Sequence, residues 1–253
     1  MMQRRSDDDR LSFDDGVSPL AACALTVRND VWPFAEANRP VIDAHWARAT
    51  QTNPGYFNGV VHLVDGVHLD GDRLDASLIR TDFKSYLFWR DQGFPEAGVL
   101  DGFGSALIRS SDSYTMLGRQ RAGNVNGGLA YPPSGFIDES DVATDGTIDI
   151  AGSVAREVSE ETGIDAAALV REPGLYLTRS GPQLSIAVPF RISMTAAEFV
   201  RVAECHIALS SDSELDAIIA VAALSDIKGL SLPRYARVLL EALLSETRSS
   251  RTL

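Results

Sequence analysis

The stretch Arg156-Glu157-Val158-Ser159-Glu160-Glu161-Thr162-Gly163-Ile164 sets three carboxylates at i, i+3 and i+4. On an α-helix each residue turns by about 100°, so Glu157, Glu160 and Glu161 fall within an arc of roughly 100°. Like charges at such spacings repel by about 0.2–0.5 kcal/mol per pair. A solvated helix would intersperse lysines, and this segment has none. The pattern asks for something positive over that face. Hard carboxylate oxygens suit Mg²⁺ or Mn²⁺ rather than zinc. Arg156 lies four residues before Glu160, within pairing distance on a helix, and Gly163 suits a left-handed helix end. The plain alternative is a solvated acidic helix, because Arg-Glu-x-x-Glu-Glu runs are common on surfaces.

These residues resemble the signature of the Nudix hydrolases, Gly-x5-Glu-x7-Arg-Glu-U-x-Glu-Glu-x-Gly-U, where U is bulky and aliphatic. Arg156, Glu157, Val158, Glu160, Glu161, Gly163 and Ile164 fill its second half without exception. The first half is altered. Pro132-Pro133-Ser134-Gly135-Phe136 resembles the family's Pro-Gly-Gly turn with Ser134 in place of one glycine, and Asp141 stands where the family has Glu. Fourteen residues separate Asp141 from Arg156 instead of seven, with Asp145-Gly146-Thr147 marking the added loop.

The resemblance implies an α/β fold, a Nudix α/β/α sandwich with a mixed sheet, preceded by a small N-terminal α+β region. It implies a Mg²⁺ (or Mn²⁺) site built from Glu157, Glu160 and Glu161 with a backbone carbonyl near Ser134 and Gly135. The metal would bridge diphosphate oxygens and orient an attacking water, with Glu157, Glu160 and Arg156 in the catalytic set. Asp141, with its shorter side chain and the insertion after it, departs from the family's Glu at that position. A further acid of some family members precedes a late strand, and Glu214 before Ala217–Val221 has that context. Asp212 and Asp216 compete with it, and a solvated loop acid is an equal alternative.

Thr81–Tyr86, Gly102–Leu107 and Arg119-Gln120-Arg121 are similar to the UDP-sugar diphosphatase branch, over roughly residues 30–245. That similarity implies cleavage of a UDP-sugar to UMP and the sugar 1-phosphate. The alternatives are the same chemistry on ADP-ribose, a dinucleotide or a coenzyme A derivative, and a non-catalytic Nudix module that binds a nucleotide as a sensor. Arg119, Arg121, Arg179 and Lys84 are the candidate phosphate contacts, each with surface charge as its alternative. Tyr131 and Phe136 are candidates to stack on a base, or else core. His62, His68 and His206 lack ligand spacing and read as structural; Trp46, Trp89 and Phe57 read as packing residues.

The elements that must position these residues follow from pattern. Residues 42–50 read as a helix. Gly59–Val64 and Val67–Leu69 read as a hairpin turned at Asp65-Gly66, with a third strand at 72–77. A helix opens at Thr81 or Asp82 and runs to about Gln92. After a Gly/Pro break at 93–101, strands are expected at 104–110, 114–119, 175–178, 185–192 and 217–222, and helices at 150–162, 196–208 and 233–246. The division reads as a disordered tail over 1–16, an N-terminal region over 17–98 and the Nudix domain over 99–253.

The chain has 253 residues, 45% hydrophobic and 23% charged, which permits one large domain or two small ones. Its net charge of −12 argues against nucleic acid or anionic membrane as a partner, while a small anionic nucleotide sugar held through a metal stays compatible. Cys23 and Cys205 match no metal spacing and read as incidental or buried thiols in a reducing compartment. No segment has the ~18 apolar residues of a membrane helix, so a cytoplasmic location is expected. The oligomeric state is left open.

Overall fold

The computed structural model describes residues 11, 13–210 and 213–249. The chain is mixed α/β. Its elements run β1 (Gly16–Leu20), β2 (Ala22–Arg28), α1 (Pro33–Ala37), α2 (Arg39–Thr52), β3 (Val60–Asp70), β4 (Arg73–Asp82) and α3 (Phe83–Asp91). They continue with β5 (Asp101–Arg109), β6 (Thr115–Gln120), β7 (Ala130–Tyr131), β8 (Ser134–Phe136) and α4 (Ile150–Thr162). The rest are β9 (Val170–Arg171), β10 (Leu175–Ser180), β11 (Gln183–Arg191), α5 (Ala196–Leu209), β12 (Leu215–Val221) and α6 (Arg234–Ser249). No helix among the described residues is long and apolar enough to cross a membrane.

Contacts divide the chain into two compact units. One holds residues 22–102 and 136–149 with the described residues before 15; the other holds 15–21, 103–135 and 150 onward. Beside the sequence division at 98 and 99, these units exchange two short segments. Of the expected tail, residues 1–10 and 12 lie outside the described residues. Asp15 and Gly16 belong to the larger unit, where Asp15 accepts from the Gly181 amide and Gly16 opens β1, which pairs with β10.

In the smaller unit β2 runs parallel to β4, and β3 antiparallel to β4. Trp32, Ile42, Leu63, Tyr86 and Trp89 form its core. The two buried indoles meet edge to face at 5.6 Å and each N–H finds a carbonyl, Ala97 and Pro95 respectively. Asp82 caps α3 by accepting from the Ser85 amide. The expected hairpin turn at Asp65-Gly66 is instead a bulge inside the continuous strand β3, and the chain reverses at Gly71, whose φ is +59°. The bulge has a local cause: Asp65 accepts from Ser77 Oγ and pairs with Arg28, and a Cβ at Gly66 would meet Ser77 Oγ at 2.6 Å. The added loop of the acidic motif also belongs here. Val27 N donates to Gly146 O and Ile148 N to Leu25 O, so residues 143–148 cover the free edge of β2. Phe57, expected to pack, is 81% exposed.

In the larger unit the main sheet runs β1-β10-β11-β5-β6-β12, with β7 on β6, β8 on β5 and β9 on β11. Strand β5 shows how the layers form. Phe103 and Leu107 pack against Tyr235 and Leu239 of α6, while the intervening Gly104 meets Val154 and Ile150 of α4. Successive strand residues point to opposite faces, so α4 and α6 cover opposite faces of the sheet. A Cβ at Gly104 would lie 2.3 Å from Val154, which is why glycine stands where α4 crosses. Helix α5 packs beside α4 and against β12, capped by a reciprocal Thr195–Glu198 box.

Candidate functional site

Helix α4 carries the acids, and its burial pattern decides what each one meets. Val154, Val158, Glu161 and Thr162 are all buried, so Glu161 continues the apolar stripe at i+7 from Val154. Glu157 flanks the stripe and Glu160 lies in solvent. The helix stops because Gly163 adopts φ +69° and its amide bonds Ser159 O, while Thr162 Oγ1 donates to Val158 O. His206, at the end of α5, donates from Nε2 to the Glu160 carbonyl at 3.0 Å. Its ring lies so close that a Cβ at Gly163 would stand 2.7 Å from Nδ1. His206 therefore braces the C-terminal turn of the acidic helix, a role its sequence spacing gave no sign of.

The positive partner that Glu157 and Glu160 face is Arg156, whose guanidinium lies 3.0 Å from Glu157 and 3.2 Å from Glu160. Glu157 is also cradled by β8. A Cβ at Gly135 would fall 2.4 Å from the Glu157 carboxylate, so the carboxylate packs directly on the glycine backbone. Ser134 precedes it in the same strand.

Glu161 is different in kind. It is 7% exposed, its Oε1 accepts from Gln120 Nε2 at 3.4 Å, and its Oε2 has no hydrogen-bond partner among the described residues. Burial pushes its carboxyl well above the usual carboxylate range, and the charges of Glu214 and Glu157 push it further. A buried carboxylate oxygen without a donor is costly to hold out of water.

Glu214 reaches this site from the loop before β12. Its side chain is exposed, and its carbonyl accepts from the Arg121 amide at 2.7 Å and from Asn124 Nδ2 at 3.0 Å. Of its competitors, Asp216 pairs with Arg119 at 2.6 Å, and Asp212 lies outside the described residues. Asp141 belongs to the smaller unit, where it accepts from the Asp138 amide and caps the turn over 139–141.

The candidate cations scatter. Arg119 is engaged by Asp216; Arg179 donates to Gly181 O and lies 3.8 Å from Asp15; Lys84, in the smaller unit, pairs with Asp43 at 2.6 Å. Arg121 reaches the site through its backbone, via Glu214 O. Tyr131 packs with Phe103 and Tyr235 in the core, and Phe136 packs on Tyr86 and Phe83. Trp46 meets Phe83 edge-on and Trp89 is buried. His62 is buried with Nδ1 donating to Ile137 O, and His68 is exposed. Cys23 is half-buried and Cys205 exposed, and neither is in a disulfide.

The residues fit a hard divalent cation in three respects. The donors are carboxylate oxygens, one of them buried and unpartnered, and Gly135 brings a main chain against Glu157 with no side chain between. Among the described residues no three acids yet converge on one point; Glu157 and Glu160 are turned to Arg156 instead. The sequence assigned no role to Gln120 or Asn124, and read His206 as structural without saying what it braces. The one signal for Gln120 was its place in the alternation of β6, on the same side as Met116 and Gly118.

No family model and no curated protein matches the chain. Several solved structures do. The MutT protein of Methanosarcina mazei Go1 is 23% identical over 58% of this chain and 95% of that one, at a TM-score of 0.40. A Nudix hydrolase of M. smegmatis, RenU, is 15% identical over 58% and 86%, at 0.38. A bifunctional NMN adenylyltransferase/ADP ribose pyrophosphatase from Francisella tularensis, complexed with AMP and a Mn ion, is 18% identical over 64% and 45%, at 0.39. At these values the chemistry of this chain has to be argued from its own residues.

Proposed function

We propose that this chain is a divalent-metal-dependent hydrolase of the Nudix type, cleaving the phosphoanhydride of a nucleoside diphosphate linked to a second moiety. The substrate class we favour is a UDP-sugar, yielding UMP and the sugar 1-phosphate. The observation that carries the hydrolase reading is Glu161: a buried carboxylate on the apolar stripe of α4 with one oxygen unpartnered, beside Glu157, Glu160 and the Glu214 loop. The UDP-sugar reading rests only on the sequence similarity around residues 81–86, 102–107 and 119–121.

Glu157, Glu160 and Glu161, with a main-chain carbonyl of the Ser134-Gly135 pair, would hold Mg²⁺ or Mn²⁺. When bound, such an ion supplies neutralisation of the diphosphate charge and a more acidic water. The chain's own contributions are separable. Arg156 pairs with Glu157 and Glu160 and holds both carboxylates in register on α4. Gly135 lets the β8 backbone approach Glu157, and His206 braces the last turn of the helix. Glu214, solvent-facing on its loop, accepts the proton of the attacking water as its oxygen bonds to phosphorus and the bond to the leaving phosphate breaks. Arg119, Arg121 and Arg179 stay candidates for the substrate's phosphates.

A non-catalytic nucleotide-binding module has its own observation: Arg156 already neutralises Glu157 and Glu160, and Asp141 caps a turn. Mg²⁺- and Mn²⁺-dependent turnover over UDP-glucose, UDP-galactose, ADP-ribose, NADH and coenzyme A, with products identified by phosphorus NMR, separates the readings. UMP with sugar 1-phosphate supports the whole proposal. Cleavage of another member keeps the mechanism and discards the UDP-sugar. Folded protein without turnover of any member sinks the hydrolase.

A further inference from the structure

We propose that Gln120 and Asn124 are positioning residues that lock Glu161 to the Glu214 loop and decide which oxygen of Glu161 is left for a ligand. This rests on the reading of Glu161 and Glu214 as site residues. Asn124 Nδ2 makes two bonds, to Gln120 Oε1 at 3.1 Å and to the Glu214 carbonyl at 3.0 Å. A main-chain carbonyl can only accept, so the Glu214 bond fixes which end of the Asn124 amide faces it. The second N–H of that amide then requires Gln120 to present its oxygen. Gln120 must in turn aim Nε2 at Glu161, and it does, at Oε1. The donor engages one carboxylate oxygen and leaves Oε2, the buried atom without a partner, as the available one.

The backbone makes this arrangement stiff. Gln120 is 4% exposed, and its amide and carbonyl bond Leu129 O and Gly128 N. Asn124 sits in a loop that closes on itself through Asn124 N to Arg121 O and Gly127 N to Asn124 O. Gly123 and Gly128, at φ +100° and +80°, make the two sharp bends that bring Asn124 back over Gln120. The Arg121 amide on Glu214 O adds a second tie, beside the bulge between Leu215 and Ala217. Without Asn124 the Gln120 amide is free to turn over and set an oxygen against the carboxylate.

Asn124→Asp keeps the shape and removes both N–H groups; Gln120→Met keeps the volume and removes the donor to Glu161. The full chain and both variants are titrated with MnCl2 by calorimetry, with main-chain hydrogen exchange read at Arg121. Each variant is expected to bind Mn²⁺ about 10–100-fold more weakly, the usual cost of an outer-shell partner. The double variant should be no more than about twofold worse than the weaker single one, because Asn124 acts through Gln120. Folded single variants within twofold of the wild type, or losses that add in the double variant, overturn the proposal. A wild type that binds Mn²⁺ yet turns over nothing removes the hydrolase reading and leaves this one to be judged on affinity. If the wild type binds no Mn²⁺, the Arg121 amide decides: exchange at least about tenfold faster in Asn124→Asp supports the lock, and unchanged exchange overturns it.

Discussion

Replacing Glu161 by Gln should make the metal-free protein more stable while crippling it as an enzyme, and the gain should grow with pH. An unfolded glutamate releases its proton near pH ~4.3. Buried in α4 and facing the charges of Glu214, Glu157 and Glu160, with Gln120 as its donor among the described residues, the folded carboxyl releases its proton at a higher pH. Below the unfolded value both states are protonated and the group contributes nothing to the pH dependence. Above it the folded state binds more protons than the unfolded one, so stability falls as pH rises until the folded group also ionises. One proton gives a slope of at most about 1.4 kcal/mol per pH unit, or roughly 3–5 °C in Tm for a protein of this size. The amide of Glu161→Gln cannot ionise, so its Tm should pull ahead of the wild type steadily from pH 5 upward in EDTA. Saturating Mg²⁺ or Mn²⁺ should reverse the order. A ligand at 100 times its Kd contributes about 2.7 kcal/mol, which the wild type gains and the variant largely forgoes. Differential scanning calorimetry between pH 5 and 8, with and without metal, reads both effects. Tm curves that stay parallel across that range would refute the claim that Glu161 is held buried at the cost of its charge.

Gly135→Ala drives a methyl into the Glu157 carboxylate at 2.4 Å, so half-activation by Mg²⁺ should need at least about tenfold more metal, with unfolding free energy lowered by the roughly 1–3 kcal/mol of an overpacked site. Arg156→Lys replaces a planar fork that bridges two carboxylates with a point charge; turnover should fall about tenfold while stability stays within about 1 kcal/mol, because the pairs are partly exposed. Gly163→Ala meets both a φ of +69° and the His206 ring, and should cost about 1–3 kcal/mol in urea unfolding. The same variant paired with His206→Ala should recover part of that loss; no recovery would show that the ring is not what the methyl strikes.

Much of this was legible along the chain. Helix α4 forms over the residues its pattern marks, Ile150–Thr162, because Val154 and Val158 repeat at helical spacing and Gly163 ends the run. Asp82, one of the two caps the sequence offered for α3, follows from local hydrogen bonding that needs no distant partner. The bulge at Asp65-Gly66 was not legible. An Asp-Gly pair between apolar runs reads as a hairpin turn, and only Ser77 and Arg28, brought alongside by β4 and β2, turn it into a bulge. Nor does the added loop after Asp141 announce that it will pair with β2, since backbone pairing leaves no mark in side-chain pattern.

The sequence alone determined that three carboxylates share one side of one helix, since that follows from 3.6 residues per turn and from nothing else in the protein. It could not tell the three apart. Tertiary structure did so by packing. The sheet buries the Val154–Val158 stripe, carrying Glu161 out of water with it, while Glu160 stays solvated and Glu157 settles on Gly135. Burial is set by what a distant strand brings to a helix face. The same carboxyl chemistry thus becomes an ordinary surface charge at Glu160 and, at Glu161, a buried oxygen with no partner among the described residues, only once β5, β6 and β8 are in position.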